Sequence, residues 1–172
     1  MKKNILVLFL VSLSLNAFAD KENYESARVS GRSFSGCSLV SSSWQWAYAV
    51  ETNFSNSNLA NADFKYATLT DADFTDAVIT GASFYNTTPK DFTKKQLYST
   101  ASYKNKNLRG VNLSYNDLTG WDFSSQDLRS ADFRECNLTD VNFSGANLKG
   151  AKFGGAFFKN TVLPNGTIYY SK

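Results

Sequence analysis

From Ala62 to Phe84 a small residue and a large apolar residue recur two positions apart, once in every five: Ala62/Phe64, Ala67/Leu69, Ala72/Phe74, Ala77/Ile79 and Ala82/Phe84. The positions between them are mostly Asp, Asn, Ser, Thr, Lys and Gly. Such a period matches neither the roughly 3.6-residue repeat of an amphipathic helix nor the alternation of a half-buried strand. A five-residue unit with two inward positions is too short to enclose a core. Its apolar pair leaves water only if the chain coils and successive turns stack, so the pattern predicts a solenoid with the polar positions facing solvent.

We call the large residue the centre and the small residue two before it the partner. Centres keep one phase from Tyr24 through Phe34, Trp44, Phe54, Phe64 and Phe74 to Phe84. The phase then breaks and resumes one residue out of step, from Tyr103 through Leu113, Phe123, Phe133, Phe143 and Phe153 to Leu163. Ala72-Asp73-Phe74-Thr75-Asp76 and Ala146-Asn147-Leu148-Lys149-Gly150 resemble the pentapeptide-repeat family, whose consensus is Ala, then Asp or Asn, then Leu or Phe, then two variable positions. The resemblance implies an all-β fold, a right-handed quadrilateral β-helix with one pentapeptide per side and four per coil. On that basis residues one coil apart stack, which pairs Phe54 with Phe74, Phe64 with Phe84, Phe123 with Phe143 and Phe133 with Phe153.

Residues 1–19 read as a signal peptide: Lys2 and Lys3, an apolar stretch from Ile5 to Leu15, and Ala17-Phe18-Ala19 before Asp20. The apolar stretch falls short of the roughly 20 residues that span a bilayer, so no transmembrane segment is expected after cleavage. Residues 20–172 then form one solenoid. We divide it into an N-terminal cap with irregular repeats (20–48, where Arg32 and Ser42 are poor partners), a first regular block (49–85), a helical interruption (86–102), a second block (103–163) and a C-terminal cap (164–172). The interruption predicts a short helix with Thr88 at its N-cap, Pro89 at its first position, and Asp91 and Lys95 one turn apart. Gln96 to Tyr103 resembles a linker between repeat blocks in exported members of the family.

In the second block Lys106, Asn116, Trp121 and Gln126 occupy partner positions suited to small residues. Trp121 would overpack such a site and is expected to turn outward at a widened corner beneath the inserted helix. Cys37 and Cys136 fall at partner positions several coils apart, beyond the roughly 7 Å Cα separation of a disulfide, so no bridge between them is expected. Leu163-Pro164-Asn165-Gly166 is a turn signal, and Thr167 to Tyr170 can add a last strand. Phe157, Phe158, Tyr169 and Tyr170 make this end aromatic. Either a self-contained cap or an end-to-end homodimer would cover it, and the family resemblance favours the dimer.

The chain has no histidine and two cysteines among its 172 residues. That removes the usual triad base and any zinc or iron-sulfur spacing, so no catalytic residue, cofactor or metal is expected. Asp63, Asp73, Asp117, Asp122, Asp127 and Asp132 each precede a centre, where the repeat itself places Asp or Asn, and read as turn-stabilising side chains. Asn53, Asn112, Asn137 and Asn142 match glycosylation acceptors only because the repeat generates that spacing. Without Lys2 and Lys3 the formal charge falls from +3 to +1, which argues against nucleic-acid binding.

Trp46 and Tyr66 are one coil apart, with Tyr85 in the next, so they should line up outside one face, where exposed aromatics bind sugar rings, peptides or proteins. The resulting expectation is a non-enzymatic scaffold or protein-interaction solenoid, exported to the bacterial periplasm or medium, with a protein or cell-envelope component as partner. A glycan- or peptide-binding module on the Trp46, Tyr66 and Tyr85 face is the alternative. Gyrase protection by DNA mimicry, the activity known in the family, fits poorly with lysines and arginines spread among the acids.

Overall fold

The computed structural model describes residues 23–170, so the leader read at 1–19 lies outside the described residues. From Asn23 the chain runs as stacked coils. Parallel bridges join residues twenty apart, such as Asn23 with Ser43, Asn53 with Asp73 and Asp122 with Asn142, and a turn follows every five residues. At most corners the next partner's N–H closes the turn on the preceding centre's carbonyl, as Ala67 does on Phe64 at 2.9 Å. The centre's own N–H reaches the next coil, as Phe54 does to the Asp73 carbonyl at 2.8 Å. Backbone polar groups are thereby satisfied between coils, which lets a five-residue side carry a core.

The centres form that core. Rings one coil apart stack, with centroids 5.2 Å apart for Phe54 and Phe74, 5.3 Å for Phe64 and Phe84, 5.6 Å for Phe123 and Phe143, and 5.3 Å for Phe133 and Phe153. Centres ten apart meet edge to face, as Phe64 does with Phe74 at 5.6 Å. Each buried centre contributes about 1.5–3 kcal/mol of transfer free energy, and each well-placed ring pair adds about 0.5–1.5 kcal/mol.

The expected irregularity before residue 48 is not seen among the described residues. Asn23 to Tyr48 already follow the bridge-and-turn pattern. A polar partner is tolerated because its hydroxyl finds a carbonyl: buried Ser42 donates to the Leu39 carbonyl at 2.6 Å and accepts from Trp44 Nε1 at 2.7 Å. Ser57 and Thr87 bond the Phe54 and Phe84 carbonyls in the same way. The residues before centres do serve the turns, for Asp63, Asp73, Asp117 and Asp122 each accept the N–H two residues on. Cys37 is half-buried, Cys136 is buried, and neither is bridged; burial pushes the Cys136 thiol up to about 12.

The interruption departs from the expected single helix. Thr88–Lys90 is one 3-10 turn, which ends at Asp91 with φ of 65°. The first α-helix, α1 (Lys94–Ser99), starts at Thr93. There Thr93 and Gln96 form a capping box, so the cap lies five residues beyond the expected Thr88. Asp91 therefore sits outside the helix and accepts from Thr70 Oγ1 at 2.8 Å rather than facing Lys95 one turn on. Thr100 caps a further turn, α2 (Ala101–Lys104), so Tyr103 is helical and the ladder resumes only at Asn107. The interrupted coil runs from Ser83 to its bridge partner Asn112. It is nine residues longer than the others, which is why the centres resume one residue out of step.

Side chains replace the lost ladder across this junction. Gln96 Nε2 donates to the Leu69 and Ala72 carbonyls, Ser102 Oγ accepts from the Ile79 N–H, and the Tyr98 hydroxyl accepts from the Asp122 N–H. Buried Asn116 accepts from the N–H groups of Thr87 and Thr88 at 2.8 Å each and donates to the Phe84 and Leu113 carbonyls at 2.7 and 2.9 Å. Phe92 takes up the aromatic stack on Phe84 at 4.4 Å. Trp121, 5% exposed, lies beneath Phe92 and Tyr98. Trp121 is thus buried under the insertion rather than turned outward as expected, because Phe92 and Tyr98 cover its oversized ring.

At the far end β1 (Thr161–Val162) pairs antiparallel with β2 (Ile168–Tyr169) around Gly166, whose φ of 81° suits a residue without a side chain. This hairpin packs Tyr169 on Phe158 at 5.6 Å. Phe157, Tyr169 and Tyr170 stay largely exposed.

Candidate functional site

Every second turn residue of the repeat takes a left-handed φ, a conformation that Gly, Asn and Asp adopt at low cost. Most such corners carry those residues or Ser. Along one edge of the solenoid, however, the corners are Trp46 (φ 59°), Tyr66 (φ 59°) and Tyr115 (φ 61°), with Asn86 between the last two. Large aromatics in this region cost roughly 1–2 kcal/mol each, and Trp46 and Tyr115 remain 51% and 49% exposed.

These rings and Tyr85 form a continuous row. Trp46 stacks on Tyr66 with centroids 4.1 Å apart and planes 23° apart; Tyr66 meets Tyr85 edge to face at 5.1 Å, and Tyr85 meets Tyr115 at 4.8 Å. Trp46, Tyr66 and Tyr85 thus lie together where the spacing put them. Tyr115 was missed because the inserted residues lengthen that coil, so counting twenty from Tyr85 does not reach it. The cations beside the row were missed as well, since Lys90 comes from the insertion. Lys90 Nζ lies 5.0 Å from the Trp46 ring centre, and Lys65 Nζ lies 5.4 and 4.5 Å from those of Tyr66 and Tyr85. A hydrogen bond with Tyr66, with burial behind it, pushes the Tyr85 hydroxyl up to about 12.

The residues singled out at the C-terminal end are gathered less tightly. Phe158 bridges Phe153 and Tyr169, while Phe157 and Tyr170 project from the last coil and the hairpin. A separate open groove of about 620 Å³ lies where α1 stands in for a strand, edged by Asp71, Asp73, Asp91 and Lys95. Asp73 and Asp91 are already engaged by Thr75 and Thr70. Among the described residues no cluster of histidine, cysteine or acidic side chains could hold a metal ion.

No curated protein matches the sequence. Among solved structures, a trypsin-treated form of QnrB1, a plasmid-mediated fluoroquinolone resistance protein, is 17% identical with a TM-score of 0.42, covering 83% of this chain and 67% of its own. HetL, involved in heterocyst differentiation regulation in the cyanobacterium Nostoc sp. strain PCC 7120, is 20% identical with a TM-score of 0.27, covering 88% and 93%. Rfr23 from the cyanobacterium Cyanothece 51142 is 17% identical with a TM-score of 0.33, covering 84% and 89%. The family model for pentapeptide repeats matches residues 30–65, 57–88, 107–145 and 142–169 in 8 copies. With more than half of its length matched by that model, and coils of twenty residues turning every five, the chain belongs to the pentapeptide-repeat family.

Proposed function

We propose that the chain is a non-enzymatic, exported interaction scaffold, a right-handed quadrilateral rod in two blocks that presents the Trp46, Tyr66, Tyr85 and Tyr115 corner to a protein or envelope component. The observation that carries this reading is the strained, exposed aromatic row itself. Strained backbone clusters where function keeps it, and most of the other corners fold with Asn, Asp, Ser or Gly, Glu51, Lys106 and Glu135 excepted. Export rests on the leader read at 1–19; among the described residues no helix is long and apolar enough to cross a membrane. A homodimer through Phe157, Phe158, Tyr169 and Tyr170 is consistent with apolar surface left open beside the terminal hairpin.

Flat stacking of sugar rings is the weaker reading of this corner. It needs free aromatic faces, and here Trp46 and Tyr66 cover one another while Lys65 covers Tyr85. Gyrase protection, suggested by the resistance phenotype named for QnrB1, is weaker still. Three of the acids, Asp76, Asp127 and Asp132, pair with Lys104, Arg129 and Arg134, and lysines and arginines are spread among the rest, which does not suit a strongly negative face.

The test is capture from envelope and culture-medium fractions by residues 20–172, beside a Trp46→Ala/Tyr66→Ala/Tyr85→Ala variant of matched stability. A partner held by the wild type and lost by the variant supports the reading. Identical capture by both, or none, overturns it.

A further inference from the structure

The rings of the aromatic corner have largely spent their faces on one another and on lysines. Trp46 and Tyr66 stack along the rod with planes 23° apart, so their shared faces are covered and their edges turn away from the corner. An aromatic ring is negative on its face and positive at its edge. Two ammonium groups, Lys65 and Lys90, lie over the remaining faces. Among the described residues neither lysine forms an ion pair. The acids beside them in sequence are engaged by other groups, Asp91 by Thr70 Oγ1. Asp63 receives Gln45 Nε2 on Oδ2 and the Lys65 N–H on Oδ1. Asp132 is held by Arg134 at 2.6 Å, at the far end of the row beside Tyr85 and Tyr115. Ring edges, tyrosine hydroxyls and ammonium groups all favour negative charge.

We propose that this corner docks an extended acidic segment of a partner protein, recognised by its carboxylates at the ring edges and the two lysines rather than by stacking on ring faces. This rests on the binding reading of the corner given above and adds the chemistry of the partner. The corner N–H groups are used in the ladder, with the Trp46 N–H on the Lys65 carbonyl and the Tyr66 N–H on the Tyr85 carbonyl. Strand addition is therefore closed off at the corner, and side chains must do the recognising. The row crosses four coils in steps of 4.1, 5.1 and 4.8 Å. About five residues of extended chain, rising roughly 3.4 Å each, would cover it. Charged contacts of this exposed kind are screened by salt.

The experiment titrates residues 20–172 with a fluorescein-labelled deca-glutamate peptide, followed by anisotropy in low salt and again in 0.5 M salt (about a 4 Å Debye length). Polygalacturonate and cellohexaose serve as competitors. The probe should bind the wild type, and both added salt and the Lys65→Gln/Lys90→Gln variant should weaken binding about tenfold, as expected for steering by surface charge. A distant Lys149→Gln/Lys159→Gln variant should bind as the wild type does. Equal binding by both double variants, or no binding at all, overturns the inference. Preferential binding of cellohexaose or polygalacturonate, lost in Trp46→Ala/Tyr66→Ala, also overturns it while leaving the corner a binding site. Loss of the broader reading would instead show in the capture experiment.

Discussion

Phe74 makes its contribution through packing alone. It is fully buried, stacks on Phe54, and meets Phe64, Phe84 and Phe92 edge to face. Phe74→Ala should cost about 3–5 kcal/mol, while Lys65→Ala on the outer face should stay within about 0.5 kcal/mol. Urea denaturation of both variants checks the register, and equal effects would remove it. Asp127 shows how little chemistry the carboxylates carry. The Arg129 side chain grips it at 2.6 Å and, despite some desolvation, holds its carboxyl below the usual range, helped by the Arg129 N–H and by Arg109. A depressed folded-state value means the pair stabilises above the ordinary carboxylate pKa, and that benefit fades as pH falls through the folded value. Asp127→Asn keeps the turn bond. Its urea midpoint should lie slightly below the wild type's at pH 7, and the gap should narrow as pH is lowered past the ordinary carboxylate value of 3.8; a gap that does not narrow in acid would contradict this account.

At the scale of elements, the repeats were legible and the interruption only partly so. The five-residue phase located the core because every inward centre but Ala49 is a larger apolar residue and the turns repeat. The insertion obeys no period. Its start was misplaced because Thr88-Pro89 offers a plausible cap, while the competing Thr93–Gln96 capping box lies where no apolar pattern announces it. Asn116 looked like a misfit at a small-residue position. In the fold it is the staple between the blocks, making four hydrogen bonds, three of them to Phe84, Thr87 and Thr88 in chain remote in sequence. Gln126, another misfit, donates one such bond to the Tyr103 carbonyl and leaves its buried Oε1 without a partner. Since orphaned buried groups cost about 1–3 kcal/mol each, Asn116→Leu should destabilise by several times as much as Gln126→Leu. Comparable losses in chemical denaturation would show that the junction is not held at Asn116.

For the whole molecule, the corner row is the feature that repeats alone do not explain. Trp46, Tyr66 and Tyr85 could be read from a twenty-residue count, but Tyr115 and the two lysines depend on how the insertion folds back. The open C-terminal end belongs to this scale too: sedimentation equilibrium should show a dimer that Phe157→Lys/Tyr170→Lys converts to monomer, and a wild-type monomer would count against end-to-end assembly. The account's central claim is that the aromatic corner is kept for binding and not for folding. Its most direct test is the unfolding free energy of Trp46→Asn/Tyr66→Asn/Tyr115→Asn, in which each replacement accepts the left-handed φ that the ring resists. Relief of strain should offset the lost ring contacts, leaving stability within about 1 kcal/mol of the wild type. A loss as large as that of Phe74→Ala would make the corner a structural element and contradict the claim.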